Sequence, residues 1–171
     1  MKRPAAGVLL LSLILALPAW ASGARRTPQE YAKVDEFVAS PLSIYPYTTL
    51  DRMRNLDKVL RETSRIVTNT HYPDKKDDVR TFEYDGLVLK VVFVGGSPTH
   101  GLLFEIEITD RKWEMKHGLR VGSTAKDVQA VLGEPDERKS DRLRYCGDAT
   151  CGIFYLNGGL VTRVEFSSPV H

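Results

Sequence analysis

The sequence of 171 residues holds only two cysteines and four histidines. No histidine lies three or four positions from another, which excludes the paired ligands that a helix offers to zinc. The G-x-S-x-G motif is missing too, so the nucleophile turn of the serine hydrolases is absent. We therefore expect a protein that is not an enzyme, with no catalytic residue, no metal site and no cofactor.

The sequence has no large excess of either charge, because its 24 lysines and arginines are nearly balanced by 22 acidic residues. Removing residues 1–21 takes away Lys2 and Arg3 but no acid, which leaves 22 of each. A neutral chain lacks the basic field that nucleic-acid binding needs and the basic cluster of a polybasic membrane binder. We therefore expect no nucleic-acid partner.

The first 21 residues have the three parts of a secretory signal peptide. Two basic residues come first, residues 8–17 are apolar except for Ser12, and residues 19–21 read Ala-Trp-Ala. The apolar stretch is shorter than the roughly 20 residues of a membrane-spanning helix. We predict cleavage near Ala21 and a periplasmic or secreted protein; the alternative is an uncleaved N-terminal anchor.

The rest of the chain offers no other attachment to a membrane. No cysteine follows the apolar stretch, so we expect no lipid anchor. No later run of residues is apolar and long enough to cross a bilayer, so we expect no integral membrane segment after cleavage.

The two cysteines are Cys146 and Cys151, and the residues between them begin with the turn signal Gly147-Asp148. Export would place them in an oxidising compartment, where a hairpin could bring the two sulfurs together. We predict a structural disulfide. The alternative is a redox-active or metal-binding pair, but the spacing is not C-x-x-C and no histidine lies near in the sequence.

Three segments carry helix signals. Thr27 and Glu30 can form a capping box at the start of the first helix, and Thr124 and Asp127 can do so for the third, which Gly133 ends. A second helix is predicted to begin at residues 48–51 because an apolar stripe follows there with helical spacing. The stripe consists of Leu50, Met53, Leu56, Val59 and Leu60.

Elsewhere the hydrophobic pattern alternates with the period of a strand. Asp85-Gly86 and residues 157–159 have the composition of tight hairpin turns. The aspartates at 74, 77 and 78 lie beside two lysines without the spacing of a calcium loop, and we interpret them as a solvated loop. Strands are predicted over residues 79–84, 87–94, 102–109, 142–146, 151–156 and 160–166.

A helix followed by strands occurs twice, which suggests an internal repeat. Tyr84 corresponds to Tyr145, and Phe93 corresponds to Phe154. The predicted fold class is α+β, with helices packed on one face of an antiparallel sheet and two tandem helix-plus-sheet units. The predicted divisions are a signal peptide at 1–21, an N-terminal helix and connector at 22–47, a first α+β unit at 48–110 and a second at 111–171.

Residues 118–128 read GLRVGSTAKDV, and residues 131–135 read VLGEP. This block resembles the G-x-T-x-x-[ED]-V-x-x-x-L-G-x-P pattern of the SmpA/OmlA family of outer-membrane assembly proteins. A tandem helix-plus-sheet unit also resembles beta-lactamase inhibitory protein. The resemblance implies a small α+β unit whose helices cover one face of an antiparallel sheet and leave the other face free to bind a protein.

That second face is the predicted binding surface. The alternative is a solvated face with cross-strand ion pairs. Tyr45 and Tyr47 in the connector are a further candidate for an interface, or else belong to the core. The predicted surface consists of Lys90, Glu105 and Glu107 in the first unit and Arg142, Arg144, Arg163 and Glu165 in the second.

These patterns predict an exported, non-catalytic module of the cell envelope that binds a protein partner and serves envelope assembly or maintenance. The alternatives are an inhibitor of an envelope or foreign hydrolase, an envelope hydrolase, and a structural protein that associates with itself through edge strands.

Overall fold

The computed structural model describes residues 26–44 and 47–168, so the predicted signal peptide and Tyr45 lie outside the described residues. Within these ranges the chain forms three α-helices and an antiparallel sheet of nine strands, which confirms the α+β class. The helices are α1 (Pro28–Ala39), α2 (Leu50–Arg54) and α3 (Ala125–Leu132). The strands are β1 (Tyr47–Thr48), β2 (Arg61–Thr68), β3 (Lys76–Tyr84), β4 (Leu87–Phe93), β5 (Gly101–Ile108), β6 (Glu137–Lys139), β7 (Arg142–Cys146), β8 (Cys151–Asn157) and β9 (Leu160–Ser167).

One sheet contains all of the described strands, in the order β2-β3-β4-β5-β9-β8-β7-β6. The two halves of the sheet meet where β5 pairs with β9, from Glu105 opposite Ser167 to Ile108 opposite Val164. The first half of β5 pairs instead with β1, through Leu102 and Gly101. The neighbour of β5 on this side therefore changes partway along the strand, and a cleft lies at this point.

The predicted capping boxes are present at both helix starts. Thr27 accepts a hydrogen bond from the backbone N–H of Glu30, whose carboxylate accepts one from the N–H of Thr27. Thr124 and Asp127 form the same exchange. The hydrogen bond from the capping residue's backbone lowers the pKa of both carboxyls. Gly133 ends α3 at φ +75°, a conformation that favours glycine.

The predicted strands were found at nearly the expected residues, and Asp85-Gly86 forms the turn between β3 and β4. Gly86 has φ +71°, and a Cβ there would lie 2.1 Å from the Cβ of Asp110. Glycine is required at this turn for two reasons. Its φ is positive, and the segment that follows β5 comes so close that no side chain fits.

The prediction of a long second helix was wrong. The helix has five residues and ends at Arg54. Leu60, which the helical stripe placed in the core, is 60% exposed, and its N–H donates to the carbonyl of Glu83 on β3. The next eight residues form β2, which pairs with β3 along its whole length. Threonine, isoleucine and valine in β2 favour a strand, and pairing with β3 overrides the local helical spacing.

The interpretation of the aspartates as a solvated loop was wrong for two of them. Asp77 and Asp78 belong to β3 and are buried. Asp77 accepts hydrogen bonds from the side-chain amide of Asn69 and the N–H of Gly95. Asp78 accepts them from Ser64 and Arg80. Burial is possible because each carboxylate is satisfied by neighbouring donors, which a sequence pattern does not reveal.

The N-terminal helix packs against strands from the other end of the chain. Phe37 is fully buried and stacks on Phe154 of β8 at a centroid distance of 6.2 Å. It also meets Phe166 of β9 at 5.9 Å. At the start of the described chain, Arg26 lies over the ring of Tyr145 and its guanidinium contacts Asp136 at 2.9 Å. Arg26 and α1 therefore pack on the C-terminal half of the sheet.

The predicted disulfide between Cys146 and Cys151 is present, and the two residues face each other across β7 and β8 with Cα atoms 4.1 Å apart. We expect both sulfurs to resist alkylation in the unreduced protein. We also expect the double substitution Cys146→Ser and Cys151→Ser to lower the free energy of unfolding by about 2 kcal/mol, the loop entropy that so short a ring removes from the unfolded chain.

Alkylation with iodoacetamide before and after reduction, followed by mass spectrometry, tests the first expectation, and urea denaturation tests the second. Reduced wild-type protein serves as the control for the double variant, since the two should unfold at similar urea concentrations. Two labelled thiols without reduction would contradict the bond.

Candidate binding surface

The register of the strands brings the predicted surface residues together on one side of the sheet. Residues directly opposite each other in an antiparallel pair point to the same face, and so do alternate residues along a strand. We call the set Lys90, Glu105, Glu107, Arg142, Arg144, Arg163 and Glu165 the charged face. Its cross-strand neighbours are Lys90 with Glu105, Glu107 with Glu165, Glu165 with Ile153, Ile153 with Arg144, and Tyr155 with both Arg163 and Arg142.

Arg163 is the centre of a cluster on the charged face. Its guanidinium lies 3.3 Å from the carboxylate of Glu165 and 3.8 Å from that of Glu107. It also stacks over the ring of Tyr155 at 4.0 Å, and the Tyr155 hydroxyl donates to Glu165 at 2.6 Å. This hydrogen bond to a carboxylate is the main cause of the raised pKa of Tyr155. These contacts hold the four side chains of the cluster in one arrangement.

The other members of the charged face also have charged or polar neighbours. Lys90 contacts Glu105 at 2.6 Å, and Arg142 contacts Glu137 at 3.2 Å. Arg144 is exposed, and its guanidinium lies 3.5 Å from a sulfur of the disulfide. Pairs with side chains about one third exposed contribute little to stability. Such pairs give the surface a defined pattern of charge, and in interfaces this pattern affects specificity more than affinity.

A second feature, which sequence reasoning missed, is a cleft of about 490 Å³ at the point where β5 changes partner. We call it the apolar cleft. It has exposed aromatic side chains at its rim, with Tyr47 75% exposed and Tyr72 58% exposed. It is lined by Val38, Ala39, Tyr47, Asn69, His71, Tyr72, Asp77, Val92, Val94, Leu102, Leu103, Phe104, Ile106, Ala149, Thr150, Phe166 and Ser168.

A second cleft of about 500 Å³ adjoins the apolar cleft and shares Tyr47, Val94 and Leu102 with it. We call it the threonine cleft. The sequence suggested Tyr47 as an interface residue, and this tyrosine borders both clefts. No sequence motif could have shown either cleft, because their walls come from loops and strands far apart in the chain. The remaining lining residues of the threonine cleft are Thr48, Thr49, Arg52, Thr99, His100 and Gly101.

Buried hydrogen bonds fix one wall of the apolar cleft. The carbonyl oxygen of the Asn69 side chain accepts from the N–H groups of His71 and Tyr72, which shapes the loop between β2 and β3. Its amide donates to Asp77, which also accepts from Gly95. The network therefore connects the loop that carries Tyr72 to the turn that follows Val94.

Among residues 26–44 and 47–168, no group of three or more histidine, cysteine or acidic side chains is arranged to hold a metal ion. In the same part of the chain, no helix is both long and apolar enough to cross a membrane.

The fold thus defines an α+β protein with a nine-stranded antiparallel sheet, one charged face and two adjoining clefts. No family model matches the sequence, and no curated protein sequence matches it. Among solved structures, the uncharacterized protein yfeY from Escherichia coli is similar with a TM-score of 0.40 and 13% identity, over 75% of this chain and 95% of that one.

Proposed function

We propose that this protein is an exported, non-catalytic protein-binding module of the cell envelope, and that its partner docks on the charged face. The observation that carries the proposal is the convergence of the predicted charged residues on one side of the sheet. Their side chains are about one third exposed, for example 33% for Glu107 and 40% for Arg163, so water reaches them. The preformed cluster around Arg163 supports docking, because an ordered surface loses less entropy on binding.

The proposal includes an architecture of two tandem helix-plus-sheet units with the helices on the opposite face. Two tyrosines at corresponding positions support a duplication. Tyr84 on β3 donates its hydroxyl proton to the carbonyl of Met53 in α2, at 2.5 Å. Tyr145 on β7 donates to the carbonyl of Gly133 at the end of α3, at 3.0 Å. In each half, a buried tyrosine thus joins the first predicted strand to the end of the preceding helix.

Export rests on the N-terminal sequence, and the likeness of residues 118–135 to the SmpA/OmlA pattern suggests a role in envelope assembly. The charged face suits a protein partner better than nucleic acid because both signs of charge alternate on it.

Site-specific photo-crosslinking tests the docking surface. We expect a crosslinking amino acid at position 144 to form an adduct with one protein in the periplasmic or membrane fraction of cells. The same amino acid at position 126, an exposed site on α3, should not form it. Reversal of charge at Arg144 and Arg163 should weaken the purified complex about tenfold or more, because complementary charges give such interfaces their specificity.

The matched control is the double reversal Lys33→Glu and Lys126→Glu, which changes the net charge equally on exposed helix positions. Circular dichroism should show that both double variants remain folded. Equal adducts from positions 144 and 126, or a complex that both reversals leave unchanged, would refute docking on this face. Recovery of the protein from the cytoplasm with Met1 in place would refute export.

A further inference from the structure

The apolar cleft and the threonine cleft adjoin and share Tyr47, Val94 and Leu102. The apolar cleft is walled by side chains from both sides of the sheet. Phe166 belongs to the core around Phe37, whereas Val92 and Leu102 lie opposite each other on the side of the charged face. The recess thus extends into the sheet where β5 changes partner. Its volume of about 490 Å³ falls in the range of small-ligand sites.

Four polar side chains in the apolar cleft are hydrogen-bonded in two pairs. Asn69 donates to Asp77, and the hydroxyls of Thr150 and Ser168 lie 2.6 Å apart. An inserted peptide would bring backbone N–H and C=O groups that need partners, and these side chains already have theirs. An alkyl chain needs none. The lining therefore favours an aliphatic chain over a polypeptide segment.

The adjoining threonine cleft contributes hydrogen-bond donors. Its described lining residues include Arg52, which carries a guanidinium group. Nδ1 of His100 lies 3.0 Å from the hydroxyls of both Ser97 and Thr99. If these hydroxyls donate to Nδ1, the imidazole proton resides on Nε2, which is then a donor. An arginine, an imidazole N–H and threonine hydroxyls are donors suited to a carboxylate.

We propose that the protein binds a long-chain fatty acid, with its carboxylate in the threonine cleft near Arg52 and His100 and its alkyl chain passing Tyr47, Val94 and Leu102 into the apolar cleft. This site is separate from docking on the charged face and does not depend on it. The two proposals can fail independently, because the crosslinking experiment uses position 144 and the fatty-acid experiment uses the clefts.

Isothermal titration calorimetry of the purified, delipidated protein with saturated fatty acids below their micelle concentrations tests the site. We expect one palmitate per chain. Each methylene removed from the ligand should weaken binding roughly fourfold, the change expected when every methylene is buried. Hexadecanol, which has the same chain and no charge, should bind about tenfold more weakly than palmitate.

Two variants separate the ends of the site. Arg52→Gln should weaken palmitate but not hexadecanol, and Val94→Asp at a 38% exposed position should weaken both. The matched controls are Arg65→Gln and Ile66→Asp on the exposed part of β2, which should change neither. Circular dichroism verifies that all four variants remain folded.

Three results would overturn the proposal. These are no saturable binding of palmitate, an affinity independent of chain length, and wild-type affinity in Val94→Asp. An apolar peptide that ends in a free carboxylate is the competing occupant. Its tight binding in the absence of fatty-acid binding would assign the clefts to a protein segment instead.

Discussion

Replacing Phe37 with alanine lowers the free energy of unfolding by about 3 to 5 kcal/mol, the cost of a cavity left by a buried phenylalanine. The side chain is fully buried, and its ring contacts those of Phe154, Phe166 and His117. These contacts join α1 to strands from the other end of the chain, so the helix cannot shift to fill the space without losing them. Urea denaturation followed by circular dichroism measures the change.

Lys33→Ala is the control for this prediction. Lys33 lies in the same helix and is exposed, so we expect its loss to change stability by less than about 0.5 kcal/mol. If Phe37→Ala were as mild as Lys33→Ala, α1 would not be packed on β8 and β9 in solution. The free energy of unfolding should depend on urea concentration with the same slope as in the wild type, as expected if the variant still unfolds in one step.

Replacing Arg80 with alanine lowers the free energy of unfolding by about 2 to 4 kcal/mol, because it leaves two partly buried carboxylates without their shared cation. Arg80 contacts Asp78 at 2.7 Å and forms a close ion pair with Glu62. The side chains of Asp78 and Glu62 are only 10% and 23% exposed. Urea denaturation at neutral pH measures the loss.

Arg54→Ala provides the comparison, because Arg54 contacts the same Glu62 and its side chain is 48% exposed. We expect a much smaller loss than for Arg80, since solvent screens an exposed pair. Equal losses from the two arginines would show that burial of the carboxylates is not the cause.

The effect of Arg80→Ala should also depend on pH. The pKa of Glu62 is lowered, chiefly by the hydrogen bond from Arg54 and further by Arg80. A carboxyl with a lowered pKa stabilises the folded state above its unfolded pKa of about 4.3, and this contribution is lost as the pH falls through the folded value. The difference between wild type and Arg80→Ala should therefore be full at neutral pH and shrink below about pH 4.

The sequence by itself determined the features that depend on neighbouring residues. Capping boxes at Thr27 and Thr124 and the turn at Gly86 are local, since each is complete within a few positions of the chain. The disulfide was predictable for the same reason, because a short hairpin brings Cys146 opposite Cys151. The charged face followed from strand alternation, which places every second residue on the same side once the strand is known.

Only the tertiary structure decided the features that depend on distant partners. Leu60 is not part of a helix because its N–H donates to the carbonyl of Glu83 on β3. Local spacing in the sequence does not encode this pairing. Asp77 is buried because Asn69 and Gly95 donate to it from two other segments. The clefts likewise arise where β5 changes partner from β9 to β1, strands far apart in the sequence. Each of these features depends on hydrogen bonds or packing between segments that come together only when the sheet forms.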